Sequence, residues 1–452
     1  SVPASLEFLF PTFHIRIDLM QLSFYLKAYP YEERPGHLLL YSTKKASMIL
    51  LKKETFRAIE NGGLSPSDEA TLFKLGMIVP DQQEEKQAVF GLFDDLNARS
   101  TRLDIVVVLN LDCNFACTYC FEGDIKGNLY MSDETAESLV DFVKEKFTKD
   151  KKSLVVDFYG GEPLLSIMLI KSISRKLKSF CENRGASYSS TLVTNGSLFK
   201  RRVAEELVPL GLRNVKITLD GPAETHNISR PFKSGAGSFD AIMANIKQTC
   251  DIVQIGIGGN YDRDNYKKFP LLLDCMAKEG VTPDKINMIR FDPVANRPEG
   301  DTSPADYKGG CMSINEPWLL DADPLLRKEI LKRGYNTPKP SPIFCMVERM
   351  DSYVVNFDGV LYKCPTFVGK KGFEAGNVRT GVKDYTSSYN LGIWKHKECT
   401  ECEYLPLCFG GCRYMSLVKY GNMDKADCKK AFLDASLERS IKQHIKYTLK
   451  RD

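Results

Sequence analysis

Asp104-Ile-Val-Val-Val-Leu-Asn-Leu-Asp-Cys-Asn-Phe-Ala-Cys-Thr-Tyr-Cys120 is the stretch that decides the reading of this chain. Its first half is a short apolar, mostly β-branched run, the size of a strand and too short for a helix with a stable face. Its second half places three cysteines directly behind that strand. Working outward, the rhythm repeats. Apolar strands are expected over 104–109, 154–159, 188–194, 214–219, 253–258 and 285–291. Helical periodicity lies between them over 133–147, 165–183, 200–210, 239–249 and 265–279. Strands alternating with helices specify an α/β fold with a parallel sheet. Six units are too few for the full eight-stranded barrel, so a partial (β/α)6 TIM-like barrel is expected, with ligands at the C-terminal ends of its strands. From about residue 292 the rhythm stops, and Gly, Pro and Cys dominate up to Cys428. A last helix is expected from 429 to about 449.

The chain has 452 residues, enough for about three domains. Its hydrophobic content of 43% and charged content of 27% are those of a globular protein and exclude a disordered chain or a collagen. Lys and Arg number 62 against 58 Asp and Glu, so no general electrostatic case for nucleic acid exists. No apolar run approaches the ~20 residues of a membrane span, and no secretory core is visible. A cytoplasmic location is expected, and there fourteen cysteines against five histidines point to metal rather than disulfides. The chain begins with Ser1; residues 1–19 are expected to be a non-native remnant, with Met20 a native start.

Cys113-x3-Cys117-x2-Cys120 would arise by chance in roughly one chain in a hundred of this composition. Three thiolates leave one iron of a [4Fe–4S] cube without a protein ligand, open to a small molecule. Zinc fits poorly, because three close cysteines here have no histidine nearby. This loop, with Tyr119 before its last cysteine, resembles the cluster loop of the radical S-adenosylmethionine (SAM) enzymes. The likeness extends along the α/β region. Tyr159-Gly160-Gly161-Glu162-Pro163, at the end of the second strand, is similar to the family's segment that holds the methionyl amine of SAM. Thr194-Asn195-Gly196 ends the third strand. Thr218-Leu-Asp220-Gly-Pro222, followed by His226 and Arg230, resembles a Ser-Leu-Asp-Gly-Pro run, with threonine keeping the hydroxyl. The resemblance implies that Thr218 and Arg230 contact the SAM carboxylate or ribose. It also places Ile257-Gly-Gly259-Asn260 near the adenosyl group. An ordinary loop salt bridge is the plainer reading for Arg230 and His226.

Further on, Cys345-x18-Cys364 precedes Cys399-x2-Cys402-x5-Cys408-x3-Cys412-x15-Cys428. This resembles the SPASM extension of a subset of radical SAM enzymes. The resemblance implies an outer cluster on Cys399, Cys402, Cys408 and Cys428, and an inner one on Cys345, Cys364 and Cys412. The chain departs from relatives that supply a fourth inner ligand soon after the first. Either the inner cluster keeps an open iron or Cys311 reaches in. Residues 354–364 read as a β-hairpin turning at Asp358-Gly359 and returning Cys364 towards Cys345. A zinc ribbon is the plainer reading for Cys399–Cys412. Cys181, Cys250 and Cys275 sit in or beside helices and read as small packing hydrophobes.

Residues 20–90 read as strand, short helices and strand, a small winged-helix-like module, with Ser65 capping a helix that opens at Pro66. Residues 82–87 read as a polar hinge. The module resembles the precursor-peptide recognition domain fused to many peptide maturases, which adds a leader peptide as a strand to a sheet edge. The domains expected are thus 20–90 for recognition, 100–300 for the radical SAM partial barrel, 301–430 for the SPASM region, and 431–452 for the closing helix.

Taken together, the resemblance implies a radical SAM/SPASM maturase, of geopeptide-type likeness, in an anaerobic bacterium. It would carry three [4Fe–4S] clusters and SAM, take electrons from a flavodoxin- or ferredoxin-type reductant, and act on a precursor peptide. A cross-link is the expected product, thioether foremost, with carbon–carbon or ether bonds as alternatives. Two other readings remain. Sulfatase maturases, which make formylglycine, place a basic Asp after the cysteine matching Cys364, where this chain has Pro365. A non-catalytic iron–sulfur electron carrier would leave 160–163 and 218–222 unexplained.

Overall fold

The computed structural model describes residues 20–120, 122–123, 125–294 and 312–448. Residues 1–19 and Cys311 therefore lie outside the described residues. Internal packing divides the chain into two units, up to Val89 and from Phe90 onward.

In the first unit, β1 (Gln21–Leu22) pairs antiparallel with β5 (Ile78–Val79), and β2 (Leu26–Pro30), β3 (His37–Ser42) and β4 (Met48–Lys52) form an antiparallel three-stranded sheet. Helices Lys53–Glu60 and Pro66–Lys74 lie between the last two strands in sequence. The second helix starts where Ser65 accepts a hydrogen bond from the Asp68 amide at 3.1 Å, with Pro66 in its first turn. Leu40, Ile59, Leu72, Met77 and Ile78 make the core. Residues 82–87, expected to be a hinge, are instead part of helix Gln82–Phe90. Asp81 receives the amides of Gln83 and Glu84 at 2.7 and 2.8 Å, capping the start. Glu85 is buried, accepting from the Ser23 hydroxyl at 2.6 Å and the Phe24 amide at 2.9 Å and pairing with Lys44. Polarity here marks a satisfied internal charge rather than a solvated linker.

The second unit is built on one mixed sheet. Strands β6 (Arg102–Val108), β7 (Ser153–Tyr159), β8 (Ser187–Thr194), β9 (Leu212–Thr218), β10 (Gln254–Tyr261) and β11 (Ile286–Pro293) run parallel in sequence order. They lie within a few residues of the expected positions, and helices Asp133–Lys146, Ile167–Glu182, Arg201–Leu207, Phe239–Thr249 and Phe269–Lys278 separate them. Alternation explains the layering. Ile105, Val107, Val156, Phe158, Val215 and Ile217 join Leu139, Val140, Ile170, Ile173, Ile242 and Ile246 in the helix-side core. Residues between them face the other side. There Val106 and Val108 pack with Val354, Tyr362, Phe367 and Tyr414.

The sheet does not end at β6. β12 (Ser352–Val355) pairs parallel to it, and β13 (Val360–Tyr362), β14 (Gly376–Asn377) and β15 (Gly381–Val382) continue antiparallel. The turn between β12 and β13 needs Gly359, whose φ is 85°. The cysteine-rich region thereby borrows an edge of the α/β sheet. A helix that sequence reading missed, Pro317–Lys332, lies inside the segment expected to be irregular. Leu319, Ala322, Leu326 and Ile330 give it a buried stripe, and Arg327 donates to the Ser440 carbonyl of helix Lys430–Thr448 at 3.3 Å.

Candidate active site

The three thiols of Cys113, Cys117 and Cys120 follow β6 at the C-terminal edge of the sheet. The loop is held by pairing with a distant segment. Ala116 donates to Pro231 O at 2.9 Å, Thr118 to Ser229 O at 3.0 Å, and Lys233 to Asn114 O at 2.9 Å. The Phe115 and Phe232 rings stack edge to face at 4.9 Å, and Lys233 closes onto Asp112 at 2.8 Å. Cys113 and Cys117 feel each other's charge, as do Cys117 and Cys120, and burial pushes the Cys113 thiol up to about 11. Thiolates in such a place are stable only beside positive charge.

Gly160 and Gly161 owe their identity to a close backbone approach. A Cβ on Gly160 would lie 2.5 Å from Asn110 O, and one on Gly161 2.2 Å from Asp112 O. Their segment is stitched to the cysteine loop: Gly161 donates to Asn110 O at 3.0 Å and Glu162 to Asp112 O at 2.8 Å. The Glu162 side chain is fully buried. It accepts from the Leu164 amide at 3.0 Å, the Asn195 amide at 2.8 Å and the Thr194 hydroxyl at 2.8 Å. Glu162 and Thr194 thus lock one strand end to the next. The Asn195 amide group reaches back to Asn114 at 2.8 Å.

A second polar knot joins Tyr119, Asp220, Arg230 and Asn260. The Tyr119 hydroxyl donates to Asp220 and receives Arg230 Nη1 at 2.7 Å and Asn260 Nδ2 at 3.0 Å. The other Asp220 oxygen takes the Asn260 amide at 2.7 Å. Burial raises Asp220, with Arg230 opposing. Among the described residues, buried Arg230 Nε has no hydrogen-bond partner. His226 is no salt-bridge partner: burial and then Arg230 lower it to about 3, so it is neutral. Its Nδ1 accepts the Asp220 amide at 3.0 Å, so Nε2 donates to Ser238 Oγ at 3.0 Å, which in turn donates to Arg230 O at 2.6 Å. The plain loop salt bridge is replaced by a buried relay that fixes Asp220 and Arg230 together.

Thr218 ends β9, half-buried, in register with Gly258. Gly259 is explained by packing, because a Cβ there would meet Leu219 O at 2.5 Å and the Phe269 and Phe291 rings at 2.7 Å. Sequence reading missed Lys126, whose ammonium is within charge reach of all three thiols, which raise it against the effect of burial. It also missed Asn114, which donates to Ser197 at 2.9 Å. Neither carries a motif that spacing could have exposed.

The later cysteines form two further sets. Cys364 lies within charge reach of Cys345 and Cys412, and burial pushes it up to about 12. Cys399, Cys402 and Cys408 each lie near Cys428. Buried ions brace the first set. Glu348, after Cys345, pairs with Arg413, after Cys412. Lys363 is buried between the Tyr353 and Tyr385 rings, at 4.6 and 4.8 Å, and donates to Arg349 O at 2.7 Å; burial lowers it to about 7. Asp427 links the two sets, since it receives the Cys412 amide at 3.3 Å and pairs with Lys419 and Lys429. Cys181 is fully buried, and Cys250 and Cys275 pack half-buried against the helix-side core.

Among the described residues, no three His, Cys, Asp or Glu side chains close to the spacing one ion takes. Tetrahedral zinc with bonds of about 2.3 Å would hold its sulfurs about 4 Å apart. The Cys113, Cys117 and Cys120 thiols lie within charge reach of one another, and an all-sulfur donor set of three suits a multi-iron cube that takes each thiolate on a separate iron. The unpartnered Arg230 Nε suits a carboxylate beside such a cube. No helix among the described residues is long and apolar enough to cross a membrane.

Comparisons with known proteins agree with this geometry. The family profile described as the Radical SAM superfamily matches residues 107–259. A cysteine-type anaerobic sulfatase-maturating enzyme of Clostridium novyi is 24% identical, covering 73% of this chain and 93% of that protein. The radical SAM cyclopropyl synthase TigE of Paramaledivibacter caminithermalis is 23% identical, covering 72% and 71%. Among solved structures, native anSMEcpe with bound AdoMet and Kp18Cys peptide superposes with a TM-score of 0.59 at 19% identity, over 77% of this chain and 98% of that one. Streptococcus suis SuiB bound to precursor peptide SuiA gives 0.51 at 14%, over 90% and 99%. These two show a shared fold.

Proposed function

With residues 107–259 a radical SAM domain, we propose that the chain is a peptide-modifying maturase. One observation carries this reading: three charge-coupled thiols are ringed by the Gly160–Glu162 turn and the Tyr119–Asp220–Arg230–Asn260 knot at consecutive strand ends. The [4Fe–4S] cluster and SAM that such a domain implies supply, when bound, one-electron cleavage of a carbon–sulfur bond and a carbon radical that takes a hydrogen atom. Cys113, Cys117 and Cys120 would hold three of the irons. Gly160 to Glu162 would hold the methionyl amine, and Thr218 and Arg230 the carboxylate or ribose. Glu162, Thr194, Asn195 and His226 position these groups, and Asn260 orients Tyr119. Gly259 would border the adenosyl side.

Two auxiliary [4Fe–4S] clusters would take Cys345, Cys364 and Cys412, and Cys399, Cys402, Cys408 and Cys428, with Cys311 or an open iron completing the inner one. Residues 20–90 would hold the leader of a precursor peptide, and a flavodoxin- or ferredoxin-type protein would supply electrons. The product proposed is a cross-link, thioether foremost. Formylglycine formation is the second reading, favoured by likeness to the sulfatase-maturating enzymes over most of their length and opposed by Pro365. Co-expression with short peptides from neighbouring reading frames, read by mass spectrometry, separates them. A cross-link removes two hydrogens, keeps all sulfur and leaves no hydrazide-reactive aldehyde. An aldehyde would establish the second reading, and unmodified peptides beside active SAM cleavage would contradict both.

A further inference from the structure

The sheet face opposite the helices carries an unmatched lysine. In β9, Val215 and Ile217 enter the helix-side core, so Lys216 and Thr218 face the other way. The Lys216 side chain is exposed and its ammonium makes no hydrogen bond or ion pair among the described residues. Strand register gives its surroundings. Val193, Lys216, Gly256 and Met288 lie in one row across β8 to β11. Since Phe158 pairs with Leu192, the same row continues through Tyr159 to Val108. Tyr159 is within charge reach of Cys120, Glu122, Arg230 and Cys364, so this row passes between the first thiol set and the second.

Gly258 shows where the lysine points. A Cβ there would lie 2.7 Å from Lys216 Cε and 3.6 Å from Nζ. Gly258 is absent from the residues with positive φ, so its backbone does not require glycine, and its bare face leaves room for the lysine to cross. Lys216 therefore leans one register step up, over Gly258 and level with Thr218, toward the edge where the thiol loop sits. The other charges on this face have partners. Arg290, in the row of Gly258, donates to Asp292 at 2.8 Å, and Asp157 is engaged by the Thr191 hydroxyl.

We propose that Lys216 selects the substrate by binding a carboxylate of the peptide, an Asp or Glu side chain close to the residue that loses hydrogen. The inference rests on the peptide-maturase reading. A peptide covering this face removes water from the ammonium, and a neutral peptide would strand that charge while an acidic one pairs it.

The test offers the iron-reconstituted full chain, with SAM, three matched pools of fifteen-residue synthetic peptides, carrying Glu, Gln or Lys at the centre and randomised elsewhere. Retention on the immobilised protein, quantified by mass spectrometry, is the first readout; stimulation of 5′-deoxyadenosine formation is the second. The wild-type chain should retain the Glu pool at least fivefold over the Gln pool. Lys216→Gln should erase that preference, Lys216→Arg should keep most of it, and Lys216→Glu should transfer it to the Lys pool. Equal retention of the Glu and Gln pools by the wild type overturns the inference alone. A tenfold loss of SAM affinity in Lys216→Gln also overturns it, by placing the ammonium on SAM. If no pool is retained or stimulates the wild type, the inference falls; if co-expressed precursor peptides also stay unmodified beside active SAM cleavage, the peptide reading falls with it.

Discussion

The loop bearing Cys113, Cys117 and Cys120 leans on strand ends through hydrogen bonds spanning up to 141 residues, whereas the region from Cys345 to Cys428 borrows a sheet edge and adds buried ion pairs between its own short elements. In the first region neutral and charge-assisted hydrogen bonds join Glu162, Asn195, Asp220, Arg230 and Asn260 across a sheet that would form without them. In the second, little regular structure exists, and Glu348–Arg413, Asp427 and Lys363 substitute for it. A rigid scaffold can leave Arg230 Nε unpartnered for a ligand. A region with few strands pairs its buried charges, or at Lys363 satisfies one with backbone carbonyls and tyrosine rings.

This contrast can be broken most severely at the thiols. Replacing Cys113, Cys117 and Cys120 together by Ala should abolish SAM cleavage while iron bound by the later cysteines persists, measured by iron content and 5′-deoxyadenosine. Loss of all iron would show the regions to be interdependent. Next in size, Arg413→Met strands Glu348 and should destabilise the second region by about 3–5 kcal/mol. Adding Glu348→Met should recover much of that in thermal unfolding; no recovery would mean the pair is not what braces the inner cysteines.

The first region should show its own weakness in acid. His226 is neutral when folded, lowered from its ordinary 6.5 to about 3. Below pH 6.5 the unfolded chain takes up a proton that the folded chain refuses. Stability should therefore fall on acidification, by ~2 kcal/mol at pH 5. His226→Gln should flatten the thermal midpoint between pH 6.5 and 5; an unchanged slope would assign it to other groups. The smallest effect lies outside both regions. Ser65→Ala should cost the first unit about 1 kcal/mol through its lost cap and leave SAM cleavage unaltered.

What sequence could reveal divides along the same line. The six parallel strands were legible because helix-covered strands alternate with amphipathic helices, and the knot at Cys113–Cys120 because its ligands are contiguous. Helix Pro317–Lys332 was missed because Pro324 and its position between cysteine-rich stretches masked a correct apolar stripe. Residues 82–87 misled because a buried, fully bonded glutamate has the same letter as a solvated one. Lys126, Asn114 and Lys216 were invisible for a different reason: their meaning depends on register and loop closure between segments far apart in the chain. The glycines split likewise. Gly160 and Gly161 were readable from a motif, while the crossing of Gly258 by Lys216 is visible only in the folded sheet.

The central claim is that the first thiol set and the strand-end knot together cleave SAM. Anaerobic reconstitution with iron and sulfide, reduction by dithionite, and chromatography for 5′-deoxyadenosine test it directly. The wild-type chain should form 5′-deoxyadenosine and the triple Cys→Ala chain none. Its absence from a wild-type chain carrying a full complement of iron would contradict the account.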